Sequence, residues 1–170
     1  MRIALLLGLS LLRNGIFVRG QTTPLHLAAM ENDVETATRL LRESPEIVHV
    51  LDVEDGSWVA PLYTAAEHGS LDVVRLLLAN GADVDSETED RSTPLMAACN
   101  YGDQGMALEI AKVLVEAGAH PTRRNKMRYN ARKIAAERGY TKLYRYLRSL
   151  DVPPEHQRKA AAAGGATEDL

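Results

Sequence analysis

Residues 60–84, APLYTAAEHGSLDVVRLLLANGADV, restrict this chain more than any other stretch. Pro61 stands where a first helical turn begins, because its ring pre-sets φ and its missing N–H is an orphan there in any case. A short apolar helix follows through Leu62, Ala65 and Ala66. Gly69 supplies a position where φ can turn positive and end that helix. A second helix starts near Leu71, with Leu71, Val74, Leu77 and Leu78 spaced to share one face. Gly81 closes it, and Ala82-Asp83-Val84 leads outward. Two helices this short cannot bury their own apolar faces, so such a unit needs neighbours on both sides.

The neighbours are present in the sequence. Thr23-Pro24-Leu25-His26-Leu27-Ala28-Ala29 opens one further copy and Thr93-Pro94-Leu95-Met96-Ala97-Ala98 another. Asn130-Ala131-Arg132-Lys133-Ile134-Ala135-Ala136 opens a worn one. Pro24 to Pro61 is 37 residues, Pro61 to Pro94 is 33, and Pro94 to Ala131 is 37. A repeat of about 33 residues opening on T-P-L-H-x-A is the ankyrin pattern. Over residues 21–150 the chain resembles the ankyrin-repeat family, with its sharpest match in the second copy. The resemblance implies an all-α solenoid of about four helix–turn–helix repeats joined by short β-hairpin-like finger loops. It also implies that His26, in the T-P-L-H position, hydrogen-bonds within and between repeats.

The motif has a physical logic. Thr23 and Thr93 are placed to cap the helices that follow, accepting from first-turn N–H groups. The alanine pairs are small where neighbouring helices approach. Asn32 replaces the inter-helix glycine of the first repeat, and asparagine is the next-best residue at positive φ. Ala98 to Gly118 spans 20 residues where Ala66 to Gly81 spans 15, so five extra residues are expected between the helices of the third repeat, within 101–107. The fourth repeat lacks the proline and is read as lacking the first glycine, as in a terminal cap.

Aromatics make up 5% of the 170 residues and hydrophobics 45%, which points to a core of Leu, Val and Ala. The single cysteine, Cys99, excludes an internal disulfide and reads as a small apolar filler. With no N-x-S/T site, this favours a cytoplasmic or nuclear setting, secretion being the alternative.

The net charge of −3 conceals a strong asymmetry. Residues 21–119 hold 18 acidic and 5 basic side chains, a balance of −13. Residues 120–150 hold 1 acidic and 10 basic, a balance of +9. Such segregation concerns partners rather than fold.

Three segments are expected: an apolar start over 1–20, the repeat domain over 21–150, and a tail over 151–170 with little to bury. The start is too short to span a bilayer, which takes about 20 apolar residues. Its stretch 11–18 echoes 77–84, which favours the second helix of a degenerate half-repeat. A secretory signal or a transit peptide are the alternatives. In the last helix, Leu143, Leu147 and Leu150 form an apolar face, with Lys142, Arg145 and Arg148 pointing away.

No phosphate loop, dinucleotide fingerprint or H-E-x-x-H occurs, and the five histidines never fall into ligand spacing. No catalysis, metal, cofactor or small-molecule substrate is expected. The family resemblance implies a non-catalytic scaffold or adaptor, expected as a monomer, gripping another protein with its fingers and first helices. The acidic part of that surface would be Asp52, Glu54, Asp55, Asp85, Glu87, Glu89 and Asp90, joined by Arg91, with Trp58 as an anchor. The basic part would be Arg123, Arg124, Lys126 and Arg128. The alternatives are a binder of nucleic acid or anionic membrane through the basic C-terminal block, or a secreted effector.

Overall fold

The computed structural model describes residues 18–19, 22–54 and 57–150. Eight α-helices among them form four consecutive pairs. These are α1 (Pro24–Glu31) with α2 (Val34–Glu43), α3 (Pro61–Glu67) with α4 (Leu71–Ala79), α5 (Pro94–Asn100) with α6 (Gln104–Glu116), and α7 (Ala131–Glu137) with α8 (Thr141–Ser149). First helices touch in the order α1, α3, α5, α7, and second helices in the order α2, α4, α6, α8. The result is an all-α stack of four repeats. A 3-10 turn, Pro45–His49, extends the exit from α2. The first finger holds a small sheet in which β1 (Val18–Arg19) runs parallel to β2 (Asp52–Glu54), and β2 pairs antiparallel with β3 (Ser57–Val59).

The core is aliphatic. Leu25, Leu62, Leu77, Leu95, Ile110, Leu114, Leu143 and Leu147 are all at most 1% exposed. The alanine pairs Ala28-Ala29, Ala65-Ala66 and Ala97-Ala98 are buried where first helices meet. Cys99 is 0% exposed, the filler its neighbours suggested, and burial pushes its thiol up to about 12. In α4 the fully buried side chains are Val73, Val74 and Leu77; Leu71 and Leu78, at the ends of the expected face, are only partly buried. Lys142, Arg145 and Arg148 are exposed on α8, opposite buried Leu143 and Leu147.

His26 joins two repeats. Its Nε2 lies 2.9 Å from the Val59 carbonyl oxygen, so Nε2 donates and Nδ1 is left to accept from the Thr23 hydroxyl at 2.7 Å. Thr23 in turn accepts from the His26 backbone N–H. Burial lowers the His26 pKa, opposed by the Val59 bond and the charge of Asp52, which matches the neutral ring this pattern needs. Asn32 adopts φ 53° and does a second job. Its Oδ1 accepts from the Val73 N–H and its Nδ2 donates to Asp72, each at 3.3 Å, so the turn of one repeat caps the second helix of the next.

Four expectations need correction. Thr93 is buried but makes no side-chain cap bond to α5, whereas Asp33, Asp103 and Asn130 do cap their helices. The fourth repeat does have its inter-helix glycine: Gly139, at φ +74°, occupies the place of Gly69 at φ +76°. The two differ in what precedes them, Arg138 against His68, but not in the backbone the turn requires. The extra residues of the third repeat do not form a long loop. Tyr101-Gly102-Asp103 links α5 to α6, as short as the link in the second repeat, and α6 runs 13 residues where α4 runs 9. A helix absorbs inserted residues with every backbone group bonded, which a loop would leave to find other partners. The fourth correction concerns Asp52, expected at an accessible finger position. Its side chain is 6% exposed, because β2 lies between β1 and β3. The readings made for 1–17, 20, and 151–170 fall outside the described residues.

Candidate partner-binding surface

The second finger (83–92) and third finger (120–129) share one backbone design. The Thr88 N–H donates to the Ser92 carbonyl at 3.0 Å, and the Asn125 N–H to the Tyr129 carbonyl at 2.9 Å. Inside each tip, the Arg91 N–H donates to Thr88 and the Arg128 N–H to Asn125. Both arginines are left-handed, Arg91 at φ 64° and Arg128 at φ 63°. Two equivalent non-glycine residues in a rare conformation mark tips of fixed shape.

The fingers are bonded to each other. The Lys126 N–H donates to the Asp90 carbonyl at 2.8 Å, and Asn125 Nδ2 to Ser92 Oγ at 3.3 Å. Charge adds to this. Arg123 reaches back to Glu87 at 2.7 Å and to Asp85 at 3.3 Å. His120 Nδ1 meets Asp85 Oδ2, and the His120 N–H donates to Asp85 Oδ1. Glu87 also takes Arg91 at 3.3 Å. Asp90 turns inward: Ser92 donates to it through both its N–H and its hydroxyl, and Thr88 through its hydroxyl. Burial pushes the Asp90 carboxyl up, but those hydrogen bonds outweigh burial and hold it below the usual carboxylate range.

The structure thus brings Asp85, Glu87, Asp90, Arg91 and Arg123 into one cluster, with Lys126 attached through its backbone. Glu89 is exposed beside it. Asp52 and Trp58 lie apart on the first finger. Trp58 is 48% exposed, opposite Val53 in the hairpin, while Asp52 Oδ1 is buried without a hydrogen-bond partner among the described residues. Glu54 ends β2 opposite Ser57, and Asp55 lies outside the described residues. Arg124 and Arg128 face elsewhere, into a groove on the fourth repeat.

Three contributors escaped the sequence reading. His120 binds Asp85 across 35 residues, and only the repeat alignment of the two fingers could have suggested it. Met127 is 72% exposed at the tip of the third finger. Lys133 sits 3.8 Å from the centre of the Tyr129 ring, a cation–π contact between a helix and its own finger.

Paired helices stacked in two rows and joined by bonded fingers define a helical-repeat solenoid. A family profile for ankyrin repeats in three copies matches residues 4–88 and again 62–157, and the chain belongs to the ankyrin-repeat family. Ankyrin repeats are in general protein–protein interaction modules, and the family is typically non-catalytic. Similar curated proteins include the serine/threonine-protein kinase VIK of Arabidopsis thaliana, 40% identical over 49% of this chain and 18% of its own length. The human ankyrin repeat and SOCS box protein 16 is 37% identical over 58% of the chain and 20% of its own length. The probable E3 ubiquitin-protein ligase XBOS33 of Oryza sativa subsp. japonica is 33% identical over 74% and 23% respectively. The chain spans about a fifth of the length of these relatives. Among the described residues no helix is long and apolar enough to cross a membrane, and no cluster of His, Cys, Asp or Glu could hold a metal ion.

Proposed function

We propose that this chain is a scaffold or adaptor that grips one protein partner along its finger edge. The observation that carries this is the bonding of the second finger to the third. Side chains on a pre-ordered edge lose little further freedom on binding, so less of the contact energy is spent on ordering. Glu89, Arg91 and Lys126 are accessible groups of that edge, and Trp58 is exposed on the first finger. Asp85, Glu87, Asp90 and Arg123 hold its shape. Asp52 acts from within the first finger, through its charge on His26.

The test compares wild type with a Trp58→Ala/Glu89→Lys double variant in partner capture followed by titration of the captured protein. Loss of that partner with an unchanged melting temperature is expected. An identical captured set and affinity would refute the finger-edge reading.

A further inference from the structure

The fourth repeat departs from the other three in a specific way. In the inner repeats the first helix carries a leucine in its first turn, Leu25, Leu62 and Leu95, each 1% exposed. It carries a small residue at its far end, Ala29, Ala66 and Cys99, each 0% exposed. In α7 the leucine position is Arg132, and the small residue, Ala136, is exposed. Lys133 takes the place held by His26, Tyr63 and Met96. The face that each inner repeat hides is therefore cationic here, and no described element packs over it.

That face is a groove of about 500 Å³ built wholly from the fourth repeat. Arg124 and Arg128 come from the finger, Arg132 and Lys133 from α7, and Met127 and Tyr144 add apolar surface. Among the described residues, no acidic side chain lines it. Among the described residues, no ion pair engages Arg124, Arg128 or Lys133. Arg123, one residue away, is spent on Asp85 and Glu87 across the finger edge. Adjacent arginines thus point to opposite tasks: one closes the edge, the next opens onto the groove.

We propose that this groove is a second docking surface, separate from the finger edge, for an acidic peptide segment of a partner that also carries an apolar side chain. Charge complementarity selects the occupant: the carboxylates meet Arg124, Arg128 and Lys133, and the apolar side chain meets Met127 and Tyr144. A long polyanion fits less well. Leaving the groove towards the rest of the stack, it meets residues 21–119 and their balance of −13, with the second finger's carboxylates first. A short acidic peptide stays within the groove and is screened from those carboxylates over about 8 Å at physiological salt. The proposal rests on the protein-binding reading of the family, but not on the finger edge.

The test uses the full chain at about 0.15 M ionic strength, where loose surface attraction is screened. Three labelled probes are titrated by fluorescence anisotropy: a short Glu/Asp-rich peptide with a single Leu, its Lys-for-Glu/Asp counterpart, and a single-stranded poly-dT oligonucleotide. The acidic peptide should bind, with amide shift changes confined to the third finger, α7 and Tyr144. Arg124→Glu/Lys133→Glu should weaken it by about tenfold or more, because both changes reverse charge at the contact. Met127→Ala should weaken it several-fold, and circular dichroism checks that each variant is folded. The Trp58→Ala/Glu89→Lys variant should bind the peptide as wild type does, which separates failure of this site from failure of the finger edge. Equal binding of the acidic peptide by wild type and the charge-reversed variant would overturn the proposal. So would tighter binding of the oligonucleotide than of the peptide, equal binding of the lysine peptide, or no binding of the acidic peptide at all.

Discussion

Arg123 Nη1 donates to Glu87 Oε1 at 2.7 Å, so the most basic finger of this chain is pinned to its most acidic one. The two residues are 36 positions apart, one fewer than the 37 that separate the equivalent Gly81 and Gly118. Charges that a linear reading counts as two surfaces are here one shared network. Both side chains remain partly exposed, so the pair is worth at most about 1 kcal/mol. Arg123→Ala should cost no more than that in urea denaturation, with the loss shrinking in high salt. A double-mutant cycle with Glu87→Gln should show coupling. Additive costs would mean the pair is incidental.

His26 should make stability depend on pH. Its native pKa lies below the ordinary 6.5, chiefly through burial. The unfolded chain therefore binds more protons than the native one between the two values, and stability rises with pH there. The contribution is complete above 6.5 and is lost as the pH falls through the lowered native value. Denaturation midpoints across this window should slope for wild type and flatten for His26→Gln. The substitution itself should cost about 1–3 kcal/mol at neutral pH, because it disturbs buried hydrogen bonds between two repeats.

Gly69 and Gly81 should respond differently to the same change. Both have positive φ, at +76° and +83°. A side chain there costs about 1–2 kcal/mol in backbone strain. A Cβ at Gly81 meets nothing within 4 Å, so Gly81→Ala should cost only that, and Gly81→Val somewhat more. At Gly69 the Cβ would overlap the ring of Tyr101 from the next repeat. Gly69→Ala should therefore melt at a clearly lower temperature than Gly81→Ala. Equal melting temperatures would show that the Tyr101 ring moves aside freely.

Leu77 is 0% exposed on α4, which packs between α2 and α6. Leu77→Ala leaves a cavity in a helix that serves both neighbours and should cost about 2–5 kcal/mol. Equilibrium unfolding measures it directly.

Cys99 should be silent to thiol reagents in the native state. Its thiol is buried and held up at about 12, so almost no thiolate is present at neutral pH. Labelling by an aromatic disulfide should track unfolding, and fast labelling of the folded protein would contradict this burial.

The stack itself was legible from residues alone. Pro24, Pro61 and Pro94 mark helix starts, Gly69 and Gly81 mark turns, and the Leu and Ala spacing marks buried faces. These are local constraints: a ring fixes φ, a missing Cβ permits positive φ, and a period decides which side chains share a face. Where the local sign was obscured, the sequence reading failed. The turn of the fourth repeat keeps Gly139, but Arg138 stands before it and no proline sets the frame, so the local pattern is obscured. The insert in the third repeat could equally extend a loop or a helix, and only the packing of α6 against α4 and α8 favours another helical turn.

The residues able to form a surface were visible too, as charges on repeating loops. Their partners were not. Sequence determined that Asp85, Glu87 and Arg123 sit on fingers; the tertiary structure decided that they face one another, that Asp52 is buried between strands, and that Arg124 turns to the groove of the fourth repeat. The reason is range. Backbone preferences and hydrophobic period act over a few residues, while an ion pair between fingers depends on how one repeat lands on the next. That is set by the close packing of Ala65, Ala66, Ala97 and Ala98 along the whole stack.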